Sequence, residues 1–233
     1  MKGLFVALGI AVAAGHAHAH DLWLEREDGG FGLYCGHKYS DHGGATFVEY
    51  QVEWLREALC FDAAGARIPF QSEQAYPYRM RGECAAAHVS ISSGYWTKTP
   101  YGTENLAKDE VRMPVKSWLS HDSVKRIEHW TESLAGPLAG GLELTPLKDP
   151  LRLRKGEKLR LRVTFDGSPV KDAVVAYDGK PRGQPGPDGE INIRLRHGGF
   201  QVIQATLKRA IASEKADEVI HSTNLNFELP EER

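Results

Sequence analysis

A histidine at a chain terminus can hold a metal ion through two nitrogens, its α-amine and its ring. His20 becomes such a residue if the chain is cut after Ala19. An α-amine gives up its proton close to neutrality, at a reference pKa of about 7.7–8.0, so this donor is available under mild conditions. The amide of Asp21 can join it when Cu²⁺ or Ni²⁺ displaces the amide proton. Nitrogen-rich sites suit nickel, copper, cobalt and zinc. More donors follow in the polar segment GHKYSDH, where His37 and His42 flank the loop. Asp41 can ligate directly or hold an imidazole in place as an outer acceptor. His88 lies on the polar face of an alternating segment and completes the candidate set of His20, His37, His42, Asp41 and His88. The bland reading of the loop histidines is solvation, and of His88 the same.

Other chemistry has weaker support. The chain has no HExxH, CxxC, GxSxG, GxGxxG or phosphate-loop motif. Ser120, His121 and Asp122 are consecutive, and such neighbours point in different directions, so they make no triad by themselves. His197 and His221 read as surface groups. Tyr95, Trp96, Lys98 and Tyr101 form a dense aromatic stretch, expected to staple a loose excursion to the rest of the fold. There are three cysteines. Cys60 and Cys84 make the better pair, because Cys35 lies beside the histidine-rich turn.

What must position these groups begins with a leader. Met1 and Lys2 give a basic start, Leu4 to Ala14 is apolar, and Ala17 and Ala19 fit an A-x-A cleavage rule with the cut before His20. That apolar run is too short for a bilayer, which takes about 20 residues. His16 and His18 leave with the leader. An exported, disulfide-permissive compartment follows.

The mature chain reads as mainly β. Strands are expected at 21–25, 31–35, in two pieces over 46–61, and at 85–93, where Ala87, Val89 and Ile91 share one face. Residues 94–117 read as an irregular excursion. Ser120 to Leu134 reads as a helix, with Val124, Ile127, Trp130 and Leu134 spaced by three or four. Period-two strands then recur to Leu229, separated by glycine turns. The expected organisation is a leader over 1–19, a β-sandwich-like domain with an irregular or helical excursion over 20–148, and a small immunoglobulin-like β-sandwich over 149–233.

Composition narrows the partners. Of 233 residues, 29 are Lys or Arg and 31 are Asp or Glu, for a net charge of -2, which argues against broad binding to a nucleic-acid backbone. No later apolar run is long enough for stable membrane insertion.

The junction AHA/HDLWLE, the turn LYCGHKYSDHG, the stretch GYWTKTPYG and the closing STNLNFEL resemble exported proteins of a nickel and cobalt uptake family. These share a domain catalogued as of unknown function, number 4198. LELTPLKDPLRLRKGEKLRLRVTFDGSPVKDAVV and PDGEINIRLRHGGFQVIQATLKR are similar to parts of its C-terminal half. The resemblance implies a periplasmic, metal-associated protein, and bears on His20, on His37 of the Gly-His pair, and on His42. The expected function is therefore binding of Ni²⁺ or Co²⁺ as cargo, with copper or zinc as other ions, for delivery to membrane transporter subunits. It is not expected to be an enzyme. The alternatives are a metal-free adhesion or scaffold module, and a copper enzyme in which His20 and a second histidine brace the ion.

Overall fold

The computed structural model describes residues 21–39 and 47–231, and nearly all its regular structure is strand. A hairpin of β1 (Asp21–Glu27) and β2 (Gly30–Gly36) comes first. A short 3-10 turn (Val52–Trp54) leads into β3 (Leu55–Phe61). The short strands β4 (Arg67–Ile68), β5 (Gln71–Glu73) and β6 (Arg79–Arg81) follow. Next are the long strand β7 (Ala86–Thr99), β8 (Gly102–Glu104) and β9 (Lys116–Ile127). The remaining strands are β10 (Leu142–Pro146), β11 (Lys158–Phe165), β12 (Ser168–Pro169), β13 (Val174–Tyr177), β14 (Lys180–Gly183), β15 (Glu190–Arg194), β16 (Gly199–Ala210) and β17 (Glu218–Leu229).

They form three sheets. The largest runs β14-β13-β16-β17-β9-β7-β3-β4, with β8 added beside β7. Two smaller sheets run β1-β2-β6-β5 and β10-β11-β12, the latter with β15 also paired to β11. Side chains alternate between the faces of a strand, and the large sheet uses both. Cys60, Ala87, Val89, Ile91 and Val124 cluster with Leu22, Leu24, Phe31, Leu33 and Met80 of the β1-β2-β6-β5 sheet. Ala86 and Ile127, with Ala205, Leu225 and Phe227, cluster instead with Leu144, Leu159, Leu161, Val163 and Ile193. The large sheet is thus covered on both faces. A Cys60–Cys84 disulfide ties the end of β3 to the residues before β7.

The free edge of β1 is closed by side chains. Asn226 Oδ1 accepts a hydrogen bond from the Leu24 amide at 3.1 Å, and Arg126 Nη1 donates to the Leu24 carbonyl at 2.9 Å. Both residues rise from the large sheet, so they fix β1 against it while satisfying an edge that would otherwise invite pairing.

Several expectations are corrected. Residues 120–127 are not helical: they belong to β9, and only Glu132–Leu134 makes a single 3-10 turn. Lys125 and Arg126 are both fully buried although they are adjacent and point to opposite faces. A central strand covered on both sides loses the polar-apolar alternation that marks a half-exposed strand. The chance spacing of Val124, Ile127, Trp130 and Leu134 then mimics a helix. Nor is 94–117 wholly irregular, because β7 continues to Thr99 and pairs with both β8 and β9. Apart from these corrections, residues 148–149 lie between the paired strands β10 and β11, and the large sheet takes strands from both sides of that point.

Candidate functional site

The start of β1 is where buried charge collects without a cation. In the β1–β2 ladder Asp21 faces Gly36 and Leu22 faces Cys35. Leu22 points into the core, so Asp21 points the other way, toward the β16 end of the large sheet. There Gln204 Nε2 donates to Asp21 Oδ1 at 3.5 Å, a long contact. Asp21 is only 5% exposed. Burial, followed by the nearby charge of Asp178, pushes its carboxyl up to about 6. Asp122 behaves in the same way. Burial raises it to about 6, and a 3.0 Å hydrogen bond from Ser120 Oγ only partly offsets this.

Cys35 is the free cysteine. Its thiol is driven up to about 12 by burial, then by the charges of Asp122 and Asp21. Next to these groups stands Asn224, directly opposite Gln204 on one side and Val124 on the other. It is 1% exposed, and neither its amide nitrogen nor its amide oxygen has a hydrogen-bond partner. A buried amide left unpaired on both atoms costs about 1–3 kcal/mol per group in a closed fold. Asp178 adds a second unpartnered oxygen, Oδ1, while its Oδ2 lies 3.2 Å from His197 Nε2.

Beside this cluster is a cavity of about 270 Å³ lined by Tyr39, Asp178, Lys180, Arg182, Arg196 and His197. His197 stacks on Tyr177, with ring centres 5.7 Å apart, and Tyr39 closes the other side at 5.5 Å. The segment from His37 to Tyr39 therefore links the end of β2 to this cavity.

Burial makes the two carboxyls and the thiol each hold a proton more tightly, and the two carboxylates add to this at the thiol. Asp21 lies on the opposite side of the hairpin from Cys35, which pairs with the inward-facing Leu22. Among the described residues, there is no group of three or more His, Cys, Asp and Glu that could hold a metal ion.

The expected ligands fall into three groups. His37 lies immediately after Gly36, at the same end of the β1–β2 hairpin as Asp21 and Cys35. His20, Asp41 and His42 lie outside the described residues. His88 lies elsewhere: its ladder partners are Leu59 and Lys125, and its side chain is on the opposite face from Ala87 and Val89. It is 1% exposed with both ring nitrogens unpartnered. Burial holds its pKa down to about 4, against an upward pull from Glu143. The polar face on which His88 was expected to be solvated is covered by the β10–β11 layer. The structure does not bring His88 together with His37.

Asp122 and Asn224 were missed as members of the site. Both stand in conspicuous stretches, SHD and STNLNFEL, yet nothing in their spacing joins them to residue 35. The juxtaposition comes from the parallel pairing of β17 with β9, which places Ser222 opposite Asp122. Contacts between strands so far apart in sequence leave no local signature.

Residues 17–209 match a protein family described as a domain of unknown function (DUF4198). No curated protein and no solved structure matches the chain. Among the described residues no helix is long and apolar enough to cross a membrane.

Proposed function

The chain belongs to the DUF4198 family, a domain of unknown function, and we propose that it is an exported binder of a divalent transition metal, nickel or cobalt, which it passes to a membrane uptake system. In this reading it is a carrier and not an enzyme, and the metal is its cargo.

The β1–β2 register carries the proposal. Asp21 faces Gly36 and Leu22 faces Cys35. His20 precedes Asp21 in the chain, and His37 follows Gly36. In this reading an export cut before His20 joins its α-amine and ring to the ring of His37. That is a three-nitrogen set suited to nickel, cobalt or copper.

The surroundings support the same reading. Asp21 and Asp122 supply negative charge that no cation offsets, and Asn224 supplies an unspent amide. Cys35 lies two residues before His37 in the chain, which places a sulfur donor for a softer ion in the same segment. Asp41 and His42 remain candidates for the rest of the shell. His88 does not, since it points into the other layer.

An incompletely protein-ligated site of this kind binds selectively yet can release its ion. Protonation of the amine and imidazoles weakens it as pH falls. Copper is expected to bind more tightly than either proposed cargo, because Cu²⁺ heads the divalent series, so copper affinity alone does not identify the cargo. Calorimetry of the untagged chain beginning at His20 tests the reading. His20→Ala and His37→Ala are each expected to weaken Ni²⁺ and Co²⁺ binding, and unchanged affinity in both would refute the ligand assignment.

A further inference from the structure

Two histidines that the sequence separates by a hundred residues meet on the other side of the large sheet. His121 of β9 and His221 of β17 are directly opposite in the parallel ladder. Their rings stack with centres 5.2 Å apart and planes only 14° from parallel. Below them in the same two strands Ser123 Oγ and Thr223 Oγ1 hydrogen-bond at 2.9 Å, and Phe165 meets His221 edge-on at 4.8 Å. These contacts fix the backbone and one wall. Both histidines are partly exposed, so water can reach them. Neither ring hydrogen-bonds another described residue.

We propose that His121 and His221 form a second metal site, a two-histidine clamp for a late divalent transition ion completed by water. The site does not depend on the reading of His20 and His37, because it is built on the opposite face of the sheet.

The rings must turn to share an ion. An imidazole binds a metal in its own ring plane, at about 2.1 Å from the nitrogen, so the nearly parallel rings must each rotate by tens of degrees until their planes meet at the ion. The terminal torsion of histidine is broad, and rotation about it turns both rings while the strands stay in place. Four ring nitrogens otherwise go unused at a place where the fold has set two rings side by side.

Charge sets the expected strength. Arg56 lies near His121 and Arg209 near His221, with Asp166 the opposing charge. The arginines discourage a charged imidazolium, which leaves ring lone pairs available, but they also repel the incoming cation. The clamp is therefore the weaker of the two sites.

Cu²⁺ is the probe, added to the untagged chain beginning at His20 and to its His37→Ala variant. The His37→Ala protein is expected to retain one Cu²⁺ whose electron paramagnetic resonance shows two equatorial imidazole nitrogens. Adding His121→Gln or His221→Gln to that background is expected to weaken this ion by at least the roughly 10–100-fold that loss of an outer-shell partner costs a metal site. Retention of the same ion in the His121→Gln/His221→Gln pair would overturn the proposal. Should those variants fold poorly, the native chain decides. Substoichiometric Cu²⁺ must broaden the ring resonances of both His121 and His221, and sharp signals from either at saturation would overturn the clamp. If the proposed carrier site is wrong while this one is right, His37→Ala leaves all copper binding unchanged and the glutamine variants still abolish it.

Discussion

The two faces of the large sheet treat buried charge differently. On the face under the β10–β11 layer, Lys125 and Glu143 are each 1% exposed and lie 2.5 Å apart. Thr145 Oγ1 accepts from Lys125 at 3.1 Å, and the amides of Leu138 and Ala139 donate to Glu143 at 3.0 Å. Each of these two charges is partnered. On the face under β1, burial pushes the Asp21 and Asp122 carboxyls up to about 6 and drives the Cys35 thiol up, and Asn224 is unpartnered. The β1 face also holds one paired charge, Arg126, which donates to Glu128 and to the Leu24 carbonyl.

The largest expected effect breaks the paired face. Lys125→Met leaves Glu143 charged and buried, and urea unfolding should show a loss of about 3–5 kcal/mol. Lys125→Met with Glu143→Leu should recover most of it, since well-packed apolar residues replace a buried pair at little cost. If the single and the double variant lose the same amount, the pair is not the compensated unit described.

Next in size is the staple beneath the acidic face. The Cys60–Cys84 bridge closes a sequence separation of 24. Replacing both cysteines by alanine should cost about 3 kcal/mol, read from the denaturation midpoint, through the freedom returned to the unfolded chain. Cys35→Ala should cost much less, because it closes no loop.

Asp122→Asn should act in the opposite direction. The carboxyl is raised from 3.8 to about 6 in the fold, so its contribution is present below pH 3.8 and is lost as pH rises through 6. Above pH 7, in the absence of metal, Asp122→Asn should therefore stabilise the protein by about 1–2 kcal/mol, while metal affinity falls. Destabilisation at that pH would show that the carboxylate is paired after all.

The smallest effect sharpens the contrast. His88 is lowered from 6.5 to about 4, so its contribution is complete above pH 6.5 and is lost as pH falls through 4. His88→Leu should change stability at pH 7 by no more than about 1 kcal/mol, since an unpartnered ring gives way to an apolar side chain. It should also flatten the acid limb of a pH series of melting temperatures, where Asp122→Asn steepens it. A drop in Ni²⁺ affinity on His88→Leu would return His88 to the ligand set.

The edges of the fold were legible in the sequence, and its centre was not. The hairpin of 21–36 reads directly from alternating residues around Gly29-Gly30, and Ala87, Val89 and Ile91 share a face as their spacing implies. The Cys60–Cys84 pair also follows from which cysteine stands beside the histidines. β9 did not show itself, because both its faces are covered and Lys125 and Arg126 look like surface residues until their partners are in place. His88 misled for the same reason: a polar face signals solvent only when no second layer lies over it. In the candidate site, the strand that carries Asp21 was legible. Asp122 and Asn224 were not, since only the parallel β9–β17 pairing, joining residues about a hundred apart, places them there.

The central claim is that an amino group on His20 and the ring of His37 hold one ion together. The most direct test is a calorimetric titration of Ni²⁺ into the chain beginning at His20, compared with the same chain acetylated on its α-amine. The acetyl cap keeps every side chain and removes only the amine donor. Affinity is expected to fall by at least tenfold, about 1.4 kcal/mol, and His37→Ala in the native chain should cost a similar amount. Equal affinity with and without the acetyl cap would contradict the account.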